Sequence, residues 1–144
     1  MTDVLLVLRK LGILRDHAAR VARRRPVDPA AFADIDVQDA LAMSLLVAIQ
    51  EASDIAMHIV SDEGWGVPSS YADGFMALAS RGVLEAALAQ QLARMAGLRN
   101  RLAHAYAFVD ADRLHAELPA GLESLERFAR AIAAHVGRAP GEIG

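Results

Sequence analysis

Four times along this chain, apolar residues recur at three- and four-residue spacing over several turns. Nowhere do they alternate at the two-residue period of a strand. The four stripes are Val4, Val7, Leu8, Leu11, Leu14, Ala18 and Ala22; Leu41, Leu45, Ala48, Ile49, Ala52, Ile55, Ala56 and Ile59; Leu84, Leu88, Leu92, Met95, Leu98 and Leu102; and Leu114, Leu118, Leu122, Leu125, Phe128 and Ile132. Each defines one buried face of a helix. With a shorter piece between the second and third, they predict an all-α chain of about five helices in an up-and-down bundle.

Punctuation supplies the boundaries. Helix one is expected from about Asp3 to Arg24, with Thr2 as N-cap and Pro26 as its stop. Residues 27 to 35 read as a linker. Asp34 or Asp36 caps helix two, about Val37 to Ser61, whose other side also carries Met43, Leu46, Val47 and Met57. A helix apolar on two sides is either central or part of an interface. Residues 62 to 68, Asp-Glu-Gly-Trp-Gly-Val-Pro, form the longest irregular loop, and Trp65 is expected to plug an edge of the core, with base stacking as the other reading. Ser69 or Ser70 caps a short helix over 71 to 80, and Gly82 follows it in the left-handed position. Helix four starts at Leu84. Gly97 inside it suggests close approach of another backbone. Asp110 or Asp112 caps helix five, whose apolar phase continues across Pro119 and so predicts one kinked helix. Residues 1–136 read as one helical domain and 137–144 as a frayed tail.

The totals remove several classes. There is no cysteine, so disulfides and thiolate zinc sites are excluded. Net charge of −3 argues against a protein that coats nucleic acid nonspecifically, so any RNA contact needs a local basic patch. The run Arg23-Arg24-Arg25 is read as a charge complement at a helix C-terminus. No apolar run reaches the ~18 residues of a membrane span. The N-terminus carries no basic leader-like region, and the cytoplasm is the expected location. Asp54 and His58 stand four apart and can touch, but two ligands are too few for a metal site. No metal and no cofactor are expected.

One position breaks the pattern. At ~100° per residue, Arg99 falls inside the apolar stripe of helix four, between the directions of Leu88 and Leu92. A cation aimed at a core or an interface is costly unless it is paired or meets a ligand. Arg101 falls off the stripe and reads as a solvated arginine, and Asn100 lies on the opposite side. On a straight helix Tyr106 would point within ~20° of Arg99, and His104 about 140° away. The three therefore predict an end or bend near His104, or a site completed by a second chain.

The ordered set Arg99, Asn100, His104, Tyr106 spells R-N-x-L-x-H-x-Y, which resembles the motif of the HEPN superfamily and most of all its HepT-like toxins. Asp54-Ile-Ala-Met-His58-Ile resembles that family's D-I-A-N-H-I, with Met57 where asparagine is usual. Val67 to Tyr71, Ala79 to Leu84 and Ala96 to Tyr106 are also similar to it. The resemblance spans about Asp36 to Ile132. It implies a HEPN-like homodimer and a metal-independent RNA endonuclease. Arg99 and His104 would be catalytic, Asn100 supporting, and two copies would face one cleft. It further implies a partner antitoxin, a minimal nucleotidyltransferase that transfers AMP onto Tyr106, with a higher hetero-oligomer left open. The residue types suit metal-free cleavage: histidine titrates near ~6.5 and serves as acid or base, and arginine stays charged and grips phosphate. The alternative is a catalytically weak helical module that docks the nucleotidyltransferase. A third reading, a plain dimeric scaffold, predicts no residue-specific effect at Arg99 or His104.

Overall fold

The computed structural model describes residues 1–104 and 110–137. Among these it has five α-helices: α1 (Val4–Arg24), α2 (Ile35–Asp62), α3 (Tyr71–Ser80), α4 (Ala86–His104) and α5 (Ala111–Val136). A short 3₁₀ helix (Pro29–Ala33) lies between α1 and α2. The predicted linker is thus partly helical. Asp28 caps this turn by accepting from the Ala30 amide at 2.9 Å, and proline sits at its start, where a missing N–H costs nothing. The turn exists to deliver Phe32, 1% exposed, into the core.

The other starts are also set by side-chain oxygens. Asp3, not Thr2, caps α1 through the Leu6 amide at 3.1 Å. Asp34 caps α2, Ser70 caps α3 and Asp110 caps α5. Each such cap satisfies an otherwise orphaned donor and contributes about 1 kcal/mol. Gly82, at φ +75°, ends α3 in the left-handed conformation, with Val83 N–H donating to Leu78 C=O at 3.0 Å.

The long helices alternate in direction. Met1, Thr2 and Asp3, just before α1, bond Asp62 and Glu63 at the end of α2, and Lys10 pairs with Glu51. Glu85, just before α4, pairs with Arg127 late in α5 at 2.9 Å. Arg25, just after α1, reaches His115 near the start of α5. The end of α1 and the starts of α2 and α5 therefore share one end of the bundle with the last turns of α4, whose Leu98 faces the same groove as Leu45 and Leu114. α2 is the central helix and packs against all four others. It is long and apolar enough to cross a membrane by length and composition, unlike the expectation from the sequence, but half of that stretch is buried inside the bundle.

The stripes of α2, α4 and α5 are buried as predicted, Leu98 and Leu122 only partly. That of α1 is rotated. Val7, Leu11, Leu14 and Val21 are buried, whereas Val4 and Leu8 are exposed together with Leu5. The surface that α1 offers to α2 includes Lys10, whose ammonium is wanted there by Glu51 and Asp54.

α5 continues through Pro119 as one helix. Proline has no N–H, so the His115 carbonyl loses its partner one turn on. Arg25 replaces it: its Nη2 donates to the His115 carbonyl at 3.4 Å. The His115 ring, 5% exposed, bonds the Pro26 carbonyl through Nε2 at 2.8 Å and packs on Phe32 at 5.3 Å between centroids. Arg25 is therefore more than a charge at a helix end; it fastens α1 to the weak point of α5.

Trp65 lies at the other end of the bundle from the last turns of α4. It is half-buried against the core, between Arg81 (5.4 Å) and His135 (5.9 Å). It fills an edge of the core, as the first of its two readings held.

Candidate functional site

The last turns of α4 keep the apolar stripe, with Met95 and Leu102 each 6% exposed. Arg99 lies in that stripe and is half-buried. Its Nε is buried and has no hydrogen-bond partner among the described residues. Its Nη1 donates to Asn100 Oδ1 at 3.0 Å. No carboxylate among the described residues forms an ion pair with it. An unpaired buried donor costs about 1–3 kcal/mol, so this guanidinium is held in place at some expense and stays available to an anion. Asn100, exposed, orients it with a neutral oxygen and does not neutralise it.

His104 is the last described residue of α4, and its side chain lies outside the described residues. So does Tyr106, with the rest of 105–109. The expected end or bend near His104 falls on those same positions. The structure therefore brings together Arg99 and Asn100, at one end of the bundle.

The other candidates are placed differently. Asp54 does not bond His58. One of its oxygens accepts from Gln50 Nε2 at 2.8 Å, and the other lies 3.7 Å from Lys10 Nζ. Gln50 Nε2 also donates to the Tyr71 hydroxyl at 3.1 Å, so this polar seam ties α1, α2 and α3 together. Met57 does not lie free on the second face of α2. Its sulfur occupies the space beside Gly74, where a Cβ would stand 3.0 Å away. Met43 remains 62% exposed, and Leu46 and Val47 are half-buried. Among the described residues no backbone stands close to Gly97; a Cβ there would meet only Arg101 Nη1 at 3.8 Å. Among the described residues no three His, Cys, Asp or Glu side chains stand close enough to share a metal ion.

Reading single helices missed a groove of about 490 Å³ between α4 and α5, walled by Arg94 and Arg101 on one side and Arg113 on the other. A signal for it was present. Arg94, Gly97 and Arg101 fall on one face of α4, seven residues apart at the extremes.

A family model described as ribonuclease HepT-like matches residues 14–132. The chain is 32% identical over 101 residues to the mRNA nuclease HepT of Shewanella oneidensis, covering 70% of this chain and 76% of that one. A solved structure of a tri-AMPylated Shewanella oneidensis HEPN toxin in complex with its MNT antitoxin superposes with a TM-score of 0.83 at 28% identity, over 93% of this chain and 99% of that chain. YutE from Bacillus subtilis, a cytosolic protein of unknown function, shares the fold with a TM-score of 0.85 at 18% identity, over 99% of this chain and 96% of that chain.

Proposed function

The chain belongs to the HepT-like ribonuclease family, and from that premise we propose that it is the RNA-cleaving toxin of a two-component toxin–antitoxin pair. The observation that carries the reading is Arg99: a half-buried cation without a counter-ion among the described residues, steadied by Asn100. The relatives support it, one being named an mRNA nuclease and another an AMPylated toxin bound to its antitoxin.

The reaction needs no metal. The RNA 2′-hydroxyl attacks the adjacent phosphorus as a base takes its proton. The bond to the 5′-oxygen then breaks as an acid protonates that oxygen. The products are a 2′,3′-cyclic phosphate and a free 5′-hydroxyl. His104 supplies acid–base help, worth roughly 10²–10⁴-fold. Arg99 faces the charge that builds on the phosphorane oxygens, where a bidentate cation is most useful. Two copies of the chain share the cleft, with α4 and the Met43–Val47 side of α2 as the interface. A minimal nucleotidyltransferase silences the toxin by placing AMP on Tyr106, and the added phosphodiester competes with RNA. The work is cytoplasmic.

The test is cleavage of RNA by purified protein in EDTA, with the ends analysed. Loss of cleavage on His104→Ala and on Arg99→Ala, and cyclic phosphate ends, support the reading; strict Mg²⁺ dependence in nuclease-free protein overturns its metal-free part. Tyr106→Phe should keep much of the activity and escape inactivation by the cognate partner and ATP. A Tyr106→Phe protein as inactive as His104→Ala would make the tyrosine catalytic. The docking-module reading draws on the antitoxin-bound relative. It predicts tight partner binding with no cleavage by the wild type.

A further inference from the structure

The groove between α4 and α5 is not used by the reaction just described. Its floor is apolar, formed by side chains such as Met95, Leu98 and Leu118. Its rim carries Arg94 and Arg101 from α4 and Arg113 from α5. The single carboxylate on it among the described residues, Glu117, is paired with Arg113 at 3.1 Å. Arg94 bonds only the neutral Gln91, at 2.6 Å, and Arg101 has no ion-pair partner among the described residues. Three arginines against one glutamate leave the rim with two excess positive charges, on a chain whose net charge is −3.

Two glycines give the groove its width. A Cβ on Gly121 of α5 would meet Met95 Cε at 3.4 Å, and one on Gly97 of α4 would meet only Arg101 Nη1 at 3.8 Å. Glycine weakens a helix interior relative to alanine, and here it does so on both walls of one groove. The volume, about 490 Å³, lies within the range of pockets that take one small ligand. An apolar floor suits a flat ring, and guanidinium groups suit the phosphate attached to it. Along α4 the groove lies within one turn of the proposed site: Arg101 is two residues beyond Arg99 and three before position 104. Around the helix axis the two arginines point about 200° apart, so the groove opens on a different face of α4 from Arg99.

We propose that this groove is a nucleotide subsite. It seats one nucleotide of the RNA around α4 from the scissile phosphate, the base on the Met95–Leu98–Leu118 floor and the phosphate on Arg101 and Arg94. The role of that nucleotide as part of the strand being cut rests on the nuclease reading; the groove's affinity for nucleotides does not.

The experiment titrates a fluorescent DNA hexanucleotide, which lacks the 2′-hydroxyl and is bound without being cut, against the full chain at several salt concentrations. Gly97→Leu, which fills the groove, should weaken binding about tenfold. Arg101→Gln, an exposed substitution that leaves folding intact, should reduce the slope of log affinity against log salt by about 0.7, as for one lost single-strand phosphate contact. Arg127→Gln, at the Glu85 pair far from the groove, should do neither. With RNA, Gly97→Leu should raise KM by the same factor and leave kcat within about threefold, since the groove acts by binding. Affinity and salt slope unchanged in both groove variants would overturn the proposal, as would a wild type that does not bind the hexanucleotide. Loss of nucleotidyltransferase binding with unchanged oligonucleotide affinity would also overturn it and make the groove a protein-docking site. The two readings fail separately. Groove-dependent DNA binding without RNA cleavage sinks the nuclease and keeps the subsite; RNA cleavage indifferent to Gly97→Leu and Arg101→Gln does the reverse.

Discussion

Replacing Arg99 by leucine should make the protein more stable and inactive at once. The wild-type side chain keeps a buried Nε without a partner among the described residues, a cost of about 1–3 kcal/mol that the substitution removes. Leucine at this point of the stripe extends the apolar surface of Met95 and Leu102, and each buried methylene is worth ~0.8 kcal/mol. Against this stand two losses. The Nη1 bond to Asn100 is at the surface and worth about 0.5–1.5 kcal/mol. A cation in the last turns of α4 also gains ~0.3–1 kcal/mol from the helix dipole. The balance favours leucine by roughly 1 kcal/mol. For a chain of 144 residues that raises Tm by about 3 °C. Urea unfolding at one fixed protein concentration measures it as a higher midpoint with an unchanged slope. Cleavage should fall on the order of 10²–10³-fold, the usual cost of removing one donor aimed at transition-state charge. A variant destabilised by 1 kcal/mol or more would show that Arg99 is there for the fold, and the argument that its strain is kept for an anion would collapse.

Arg25→Ala leaves the His115 carbonyl unpaired but also removes Arg25's own buried Nε, which has no partner among the described residues, so the net cost should be no more than about 1 kcal/mol; Pro119→Ala restores the missing helical donor, so thermal denaturation of the double variant should show that cost recovered. The Glu63 carboxyl titrates below its ordinary 4.5 because the Thr2 hydroxyl donates to it, opposed by a smaller penalty from burial. A depressed folded value means that this contact stabilises the protein above the unfolded value and is lost as pH falls through the folded one. Carboxyl-carbon NMR should place the midpoint below 4.5 and return it toward 4.5 in Thr2→Val. A midpoint indifferent to Thr2 would refute the assignment. Trp65→Ala should destabilise by roughly 2 kcal/mol, about half the cost at a full core position, and leave RNA cleavage by the remaining folded protein untouched. A loss of kcat there would mean that the two ends of the bundle communicate.

Much of the bundle was legible because three of its long helices bury the faces their own periodicity marks. α5 could be read straight through Pro119, since a constant apolar phase on both sides of a proline requires one helix axis. The 3₁₀ turn could not be read. Five residues are too few for a period, and Phe32 is buried by where the turn places it. α1 was rotated in prospect because Val4 and Leu8 fit a stripe as well as any core residue does. The face that packs is centred on Val7, Leu11, Leu14 and Val21, with Lys10 beside it paired to Glu51 and Asp54 on another helix. Asp54, read as able to touch His58 four residues on, instead bonds Gln50 four residues back and faces Lys10 of α1, and the task of Arg25 is set ninety residues away by the His115 carbonyl.

The site and the groove differ in the same way. Arg99 was visible in one helix because it violates that helix: a charge stands where the stripe asks for leucine, and the structure leaves it half-buried with an unmet donor. Arg94, Gly97 and Arg101 violate nothing. Polar and small residues belong on the outer face of α4, and an arginine there has an ordinary explanation until α5 is laid beside it. Only then do Gly121 and Arg113 turn a solvated face into one wall of a charged groove. A residue that strains its own helix declares itself in sequence, whereas one that acquires its role from a neighbouring helix waits for the packing. The chemistry of strand cleavage needs the first kind, a cation held ready at a cost. On the proposed reading, holding a further nucleotide of the bound strand falls to the second.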